Sequence, residues 1–440
     1  MNFENWISEN VKKTMEISSI NKDYYKKYDI KRGLRNADGT GVVVGFTKLG
    51  SVIGYDYVNG EKIPTDGKLF YRDKSITELT KSNKQFGFER TIYLLLFGEL
   101  PSENDLKIFN DLLDKYRKLP DGFTENMILK IPSRNVMNKI QRSILVLYSH
   151  DDNPDSLDIG ETILKSIKLI ARFPTIVAYG YQAKAYNFDN KSLFIHSPQN
   201  GIGTARNILH MIRNDNEFSK LEAETLELLL ILHAEHGGGN NSAFATHVVS
   251  SSGTDIYSAI SAAVGSLKGP KHGGANKKVK MMIEDIKDYS NYENEDELKK
   301  YLFKILKGET ANEKKLIYGM GHAVYTKTDP RAEILKAKAK ELAISNNKLK
   351  EYQLYANIEK LTKEIFKEIN GEKFEICANI DLYSGFVYEL LNIPEDIFTP
   401  IFAVARVGSW CAHRIEQLIN DKKIIRPAYM SINNNGKPEN

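Results

Sequence analysis

The histidines of this chain are concentrated in one part of the sequence, and His272 has the most unusual surroundings. It lies in KGPKHGGAN (Lys268–Asn276), among three glycines and a proline. The apolar segments on both sides predict two helices, so His272 is expected on a turn just before a helix N-terminus. A helix N-terminus disfavours imidazolium, and a neutral imidazole there can donate a hydrogen bond to a developing oxyanion. The alternative is a histidine in an exposed loop, because glycine-rich turns are common.

Two other histidines also stand next to glycines. His236 lies in HAEHGGGNNSA, three residues after His233 and directly after a nearly all-apolar predicted helix. This spacing at a helix end is a poor metal-ligand geometry, no third ligand is evident, and the zinc-protease pattern differs. The sequence therefore predicts no metal, and His236 is assigned to ligand binding. His322 lies in GMGHAVYTKTDPR, where Gly319 and Gly321 allow the backbone to come close to a ligand.

One acid and three arginines complete the set of candidates. Asp381, in NIDLYSG, begins an apolar helix, where it is either an N-cap or a general base whose pKa burial has raised. Arg331 follows an Asp-Pro pair that predicts a helix start, and Arg406 interrupts an apolar helix. Arg426 precedes a proline after the last predicted helix. Each arginine is either a solvated surface residue or a ligand for a carboxylate or phosphate.

Together, the candidate residues are suited to one type of reaction, the addition of a carbanion to a ketone. A base removes a proton next to a carbonyl, and the resulting carbanion adds to a ketone on a polyanionic substrate. Neutral histidines would hold the enolate and polarise the ketone, while arginines would hold carboxylates.

The elements that must position these residues are predicted to be mainly helical. Residues 41–73 differ, because β-branched and aromatic residues flank two turn signals, Lys48-Leu49-Gly50 and Asn59-Gly60. Apolar periodicity predicts helices over Phe86–Leu100, Asp158–Tyr181, Glu222–His233, Arg331–Ile369 (as a pair) and Pro394–Ile419. Pro174 predicts a kink or break in the second of these. The fold class is therefore mainly α with a small antiparallel β element.

Composition excludes several classes of function. The formal net charge is only +4, and no Lys/Arg block is dense enough to indicate a nucleic-acid partner. The two cysteines form no disulfide framework and favour a reducing compartment. The N-terminus has no signal-peptide pattern and no apolar run is long enough to span a bilayer, so we expect a cytoplasmic protein without a membrane partner.

The motifs resemble those of the citrate synthase family. GPKHGGAN, GMGHAVYTKTDPR and NIDLYSG occur in the family's order and spacing, preceded by HAEHGGGNNSA and followed by Arg406 and an Arg-Pro pair. The likeness covers residues 75–430, and the stretch 41–73 is similar to the N-terminal portion of the bacterial and archaeal branch. The resemblance implies a helical homodimer with a large domain (1–277 plus 388–440) and a small mobile domain (278–387).

The resemblance also implies an activity and its residue roles. Oxaloacetate would bind first, the small domain would close, and acetyl-CoA would then condense to give citrate and CoA, with no permanently bound cofactor. Asp381 would abstract the methyl proton, His272 would donate to the enolate oxygen, and His322 would polarise and protonate the oxaloacetate carbonyl. His236 would also hold that substrate. Its carboxylates would be held by Arg331, Arg406 and Arg426, the last from the partner subunit.

One position departs from the family's pattern. The family often has a basic residue near a CoA phosphate where this chain has Thr326, followed by Lys327. Contacts to CoA are therefore assigned to Gly319, Gly321 and Lys327, and Lys268, Lys271, Lys277 and Lys278 are nearby alternatives for the CoA phosphates. Two other functions stay open: a 2-methylcitrate synthase that uses propionyl-CoA, and a non-catalytic helical scaffold that binds a CoA ester or carboxylate.

Overall fold

The computed structural model describes residues 3–59, 61–81, 85–310, 315–432 and 438–439. Its contacts separate the chain into two compact units. One consists of Met1–Phe46 with Ile424–Asn440, and the other of Thr47–Lys423. All the candidate site residues except Arg426 belong to the second unit.

Helices form most of the described chain, in agreement with the predicted fold class. The α-helices are α1 (Phe3–Ile17), α2 (Asp23–Lys27), α3 (Ile76–Lys81), α4 (Gly87–Phe97), α5 (Glu103–Tyr116), α6 (Val136–Tyr148), α7 (Ile159–Phe188), α8 (Thr204–Ile212), α9 (Lys220–His233), α10 (Asn241–Ser250), α11 (Ile256–Lys268), α12 (Ala275–Tyr289), α13 (Glu295–Lys307), α14 (Pro330–Ser345), α15 (Leu349–Asn370), α16 (Asp381–Leu390) and α17 (Phe398–Asn420). The strands are β1 (Gly50–Val58), β2 (Glu61–Tyr71), β3 (Lys74–Ser75), β4 (Ser431–Ile432) and β5 (Pro438–Glu439). A π-helical turn covers Thr124–Leu129, and a 3₁₀ turn covers Glu395–Ile397.

The predicted β element is an antiparallel sheet with strand order β1-β2-β3. Val58 pairs with Glu61, so Asn59 and Gly60 connect β1 to β2 as the sequence predicts. Asn59 has a left-handed φ of 54°, as hairpin turns of this kind require, and Gly60 lies outside the described residues. The other expected turn is shorter than predicted, because Gly50 is already the first residue of β1. The register shifts between Ile53 and Tyr55, so the sheet contains a bulge.

Of the kink or break predicted at Pro174, the long helix α7 excludes the break, and the kink stays a prediction. The helix continues through this proline to Phe188, and the neighbouring Phe173, Ile176 and Val177 side chains have no solvent exposure. A proline inside a helix costs about 3 kcal/mol. Burial of three large apolar side chains can offset this cost, at roughly 1.5–3 kcal/mol each.

The core of the second unit lies along α7 and α17, whose side chains are largely buried. The predicted small domain, residues 278–387, runs from within α12 to within α16 and contains most of both helices, and the helices of this range pack on one another. Its boundaries stay a prediction. Among the described residues, no helix is long and apolar enough to cross a membrane.

Candidate active site

The turn that carries His272 is shaped by close backbone contacts. α11 ends at Lys268 and α12 begins three residues after His272, as the sequence predicts. The His272 N–H donates to Gly269 O at 2.9 Å. A Cβ on Gly273 would lie 2.3 Å from Leu267 O, so only glycine fits there. These contacts fix the backbone that presents the imidazole.

His272 is neutral at physiological pH. Burial lowers its pKa to about 4, and the charge of Arg406 adds to the effect. Its Nε2 lies 3.1 Å from Ser242 Oγ, and the Trp410 indole N–H donates to that same oxygen at 3.1 Å. The ring is therefore anchored through one nitrogen, which leaves Nδ1 for another partner.

His233 is the last residue of α9, and His236 lies just beyond the helix end. The His233 Nδ1 lies 2.9 Å from Leu229 O, and its ring packs edge-on against Phe402. His236, beyond the helix end, has its ring centroid 5.1 Å from that of His322. Burial and the charge of Arg331 keep its pKa well below the ordinary value. Its Nε2 is buried and has no hydrogen-bond partner among the described residues, and such an atom costs roughly 1–3 kcal/mol unless a ligand satisfies it.

The backbone fixes the tautomer of His322. Its Nδ1 accepts from the backbone N–H groups of Val324 and Tyr325, both at 3.1 Å. Nδ1 therefore carries no proton, and the neutral ring has its hydrogen on Nε2. Burial and Arg331 lower the pKa of His322 to about 4, so this neutral form is present at physiological pH. The site thus contains an Nε2–H donor that can polarise a carbonyl.

A short antiparallel pairing brings the His322 loop beside Asp381. Met320 bridges Ala378, Gly321 N donates to Cys377 O at 2.8 Å, and Asn379 N donates to Gly319 O at 2.9 Å. The Asn379 side chain donates to Gly321 O at 2.8 Å and accepts from Asp381 N at 3.0 Å. The two chain segments are therefore held together directly at the start of α16.

Asp381 is the first residue of α16 and has an unusually basic carboxyl. Burial raises its pKa from 3.8 to about 6, although the charge of Arg331 opposes the change. Its own side chain does not cap the helix, because the helix N-cap position is Ile380 and Asn379 accepts the Asp381 N–H. The general-base interpretation of Asp381 therefore has structural support that the cap interpretation lacks.

Two of the predicted arginines are buried in the same region. Arg331 is 5% exposed, and its Nε and Nη2 form a bidentate pair with the Asp329 carboxylate at 3.0 and 2.8 Å. Arg406 is 1% exposed, and its Nε donates to His233 O at 2.7 Å. Its Nη1 is buried without a partner among the described residues. The charges of both guanidinium groups contribute to the lowered pKa of His236.

The β1–β2 hairpin packs on both histidine loops. A Cβ on Gly50 would lie 2.7 Å from the Glu235 carboxylate, next to His236. A Cβ on Gly54 would lie 2.3 Å from Val324 O, and one on Gly67 would lie 2.1 Å from Thr328 O. Gly67 N also donates to Thr328 Oγ1 at 2.9 Å. These glycines let the hairpin support the loops that carry His236 and His322.

The four remaining predicted residues are Gly319, Gly321, Lys327 and Arg426. No described side-chain contact joins them to the candidate histidines, Asp381 or the two buried arginines. Gly319 and Gly321 have left-handed φ values of 85° and 87°, and their backbone groups bond to residues 377–379. Lys327 is exposed, and Arg426 is exposed in the first compact unit. The assigned roles of these four residues stay predictions.

Several positioning residues were not identified from the sequence. Ser242 and Trp410 anchor His272, and Asn379 joins Asp381 to the His322 loop. Trp410 offered one signal, because an indole N–H inside an apolar helix needs a partner. Asn379 offered another, because asparagine two residues before a helix start commonly accepts a backbone N–H. The contact between Ser242 and His272 spans 30 residues and had no local signal.

The described chemistry defines a class of protein. A desolvated carboxyl that is ionised at neutral pH, next to neutral imidazoles and buried arginines, is suited to proton removal beside a carbonyl of an anionic substrate. A helical enzyme that uses an enolate to form a carbon–carbon bond combines these features.

Comparisons with known proteins agree with this class. The family model described as "Citrate synthase, C-terminal domain" matches residues 38–428. A citrate synthase of Haloferax volcanii is 32% identical over 403 residues, covering 91% of this chain and 94% of the relative. A 2-methylcitrate synthase of Corynebacterium glutamicum is 32% identical over 378 residues, covering 84% and 91%. The citrate synthase structure from Thermoplasma acidophilum, a ternary complex with carboxymethyl coenzyme A and oxaloacetate, has a TM-score of 0.74 at 26% identity, covering 92% of this chain and 96% of that one. The chain belongs to the citrate synthase family, and is an acyltransferase.

Proposed function

We propose that this chain condenses acetyl-CoA with oxaloacetate and water to give citrate and CoA. The observation that carries the proposal is that one bonded pair of segments carries both Asp381, whose pKa is raised to about 6, and His322, whose neutral ring has an Nε2–H. The first group is suited to make a carbanion and the second to activate a ketone. The family membership and the substrates named for the Thermoplasma acidophilum complex support the same reaction.

Asp381 and His272 form the enolate in this proposal. The Asp381 carboxylate takes a proton from the thioester methyl group, and the electron pair moves into the thioester carbonyl. His272 Nδ1–H donates to the enolate oxygen. This role requires the Ser242 hydroxyl hydrogen to point at His272 Nε2, which is possible because the Trp410 N–H already occupies an acceptor position on Ser242 Oγ.

Oxaloacetate is held by the groups that lack protein partners. The His322 Nε2–H polarises the ketone and gives its proton to the new alkoxide, while His236 Nε2 provides a second contact. Arg406 Nη1 binds one carboxylate, and Arg331 binds through the nitrogen that Asp329 leaves unused. Water then cleaves the citryl thioester in the same site, releasing citrate and CoA.

The proposal also covers domain movement, subunit assembly, CoA binding and location in the cell. Residues 278–387 act as a mobile domain that closes after oxaloacetate binds and excludes water from the enolate. The chain forms a homodimer in which Arg426 reaches the site of the partner subunit. CoA is a co-substrate held near Gly319, Gly321 and Lys327, no cofactor is permanently bound, and the enzyme is cytoplasmic.

The decisive experiment compares kcat/KM for acetyl-CoA and propionyl-CoA with oxaloacetate, following CoA release with a thiol reagent. We expect acetyl-CoA to be preferred. The similarity to a 2-methylcitrate synthase makes propionyl-CoA the second candidate, and one methylene changes selectivity by roughly 1–3 kcal/mol. A clear preference for propionyl-CoA would replace citrate by 2-methylcitrate as the product. Absence of CoA release with both thioesters would favour a non-catalytic scaffold.

A further inference from the structure

A second cluster of histidines lies beside the active site without belonging to it. His413 and Glu416 stand one turn apart on α17, and His247 faces them from α10. His247 Nε2 is 3.0 Å from His413 Nδ1, and Glu416 Oε2 is 3.9 Å from the same His413 nitrogen. One ligand atom from each of the three residues lies within 4.8 Å of the others.

In the His247 and His413 rings, the nitrogen that points away from the other ring, here called the outer nitrogen, lies next to an oxygen acceptor. His413 Nε2 lies 3.1 and 3.2 Å from the two oxygens of the buried Glu235 carboxylate. His247 Nδ1 lies 2.8 Å from Gln417 Oε1, and the Gln417 amide nitrogen donates to Asp421 O at 3.3 Å, which orients the amide. Each ring therefore has a hydrogen on its outer nitrogen.

This assignment leaves two lone pairs facing each other. The inner nitrogens, His247 Nε2 and His413 Nδ1, cannot stay 3.0 Å apart without a positive species between them. That species is either a proton, which makes one ring an imidazolium, or a metal ion. Metal-binding histidines commonly donate their other N–H to a carboxylate or carbonyl in this manner.

The third residue distinguishes the two possibilities. Glu416 Oε2 is buried and has no hydrogen-bond partner among the described residues, whereas its other oxygen accepts from Lys48 N at 2.7 Å. A shared proton between the two rings leaves this oxygen 3.9 Å from a charged ring and still without a hydrogen bond, whereas a metal ion can coordinate it directly. Gly238 leaves room for a further ligand, because a Cβ there would stand 3.6 Å from His247 Nε2.

We propose that His247, His413 and Glu416 form a binding site for a divalent transition metal of the zinc type. Two imidazole nitrogens and one carboxylate oxygen suit Zn²⁺ or Co²⁺, and do not suit Mg²⁺ or Ca²⁺. In tetrahedral zinc geometry ligand atoms are about 3.3 Å apart. The observed 3.0 and 3.9 Å are near this value, and the third pair, His247 and Glu416, lies within 4.8 Å, so the Glu416 side chain would move toward His247 when the ion binds. Water would occupy the fourth position.

The site is linked to the active-site loop through Glu235. This carboxylate holds His413, accepts from Gly237 N at 2.5 Å and bonds to the Ser409 hydroxyl. A bound ion would therefore tie α10 and α17 to the segment that presents His236. Its binding should raise the thermal midpoint of the protein, since ligands that bind only the folded state stabilise it.

The test uses untagged full-length protein, freed of metal with a chelator and titrated with zinc chloride or cobalt chloride in a calorimeter. We expect one ion per subunit and visible absorption of four-coordinate Co²⁺. Glu416→Gln and His247→Gln should each weaken binding by about tenfold or more. His210→Gln, a histidine elsewhere in the chain, is the matched control and should bind normally.

A further variant separates this site from the catalytic histidines. His322→Gln should keep the full affinity for both ions. Loss of binding in that variant, unchanged binding in Glu416→Gln, or no saturable binding of either ion would each overturn the proposal. Because no substrate is present, failure here does not depend on the proposed citrate-forming activity.

Discussion

Replacement of Asp381 by asparagine should strongly slow catalysis and stabilise the fold. Burial raises the pKa of this carboxyl from 3.8 to about 6. The shift corresponds to a loss of ~3 kcal/mol for the ionised folded state relative to the unfolded chain. Asp381→Asn removes the charge and keeps the side-chain shape. The variant should therefore be more stable than the parent at neutral pH, by up to ~3 kcal/mol.

The pH dependence of this gain has a definite sign. The folded state binds the proton more tightly than the unfolded state, so the penalty for ionising Asp381 is absent below pH 3.8 and complete above about 6. The penalty at pH 5 is about half of its full size, so the difference in thermal midpoint between variant and parent should be about twice as large near about pH 8 as near about pH 5. Scanning calorimetry at both values measures it, and Asp111→Asn, at an exposed acid, is the control.

The same variant tests the catalytic role. Loss of a general base should lower kcat by about 10²–10⁴, with oxaloacetate binding largely intact. For the parent, kcat/KM should rise with pH to a plateau above about 6 as Asp381 ionises. His272 and His322 stay neutral over this range because their pKa values are about 4. A near-normal rate would exclude Asp381 as the base, and an equal difference in thermal midpoint at both pH values would refute its desolvation.

Three further predictions concern other parts of the site. Arg406→Leu should raise the oxaloacetate Kd at least about tenfold, since it removes a buried charge-assisted bond; calorimetry with unchanged binding would exclude Arg406. Gly67→Ala, whose Cβ would lie 2.1 Å from Thr328 O, should destabilise by about 1–3 kcal/mol and raise the oxaloacetate KM, whereas Gly41→Ala, with nothing within 4 Å, should do neither. Mixing inactive Asp381→Asn and Arg426→Leu subunits should restore about a quarter of parental activity if Arg426 acts across a twofold interface, and no recovery would refute that assignment.

The sequence predicted the elements whose signals are local. The turn before α12, the cap at Asp329 and the Asn59 hairpin turn each depend on residues within a few positions, and the structure has all three. A break at Pro174, one of the two predicted outcomes, does not occur, because burial around α7 outweighs the local preference. Local rules do not include that tertiary contribution.

The roles of the predicted site residues stay predictions, and their arrangement could not be derived from spacing. The pairing of residues 319–321 with 377–379 joins segments far apart in sequence, and neither segment has strong strand character. The support that Gly54 and Gly67 give to the His322 loop was also missed. Glycines in a hairpin signal close approach of another backbone, but they do not say which one.

The charge arrangement of the site gives a physical reason for ordered binding in the proposed reaction. Arg331 is paired with Asp329, and its positive charge still lowers the pKa of Asp381 against the larger effect of burial. A carboxylate of oxaloacetate bound to Arg331 would neutralise that charge and let the pKa of Asp381 rise further. The base would therefore become stronger only after oxaloacetate is in place. Acetyl-CoA would be deprotonated when its electrophile is already bound, and the enolate would not form without a partner.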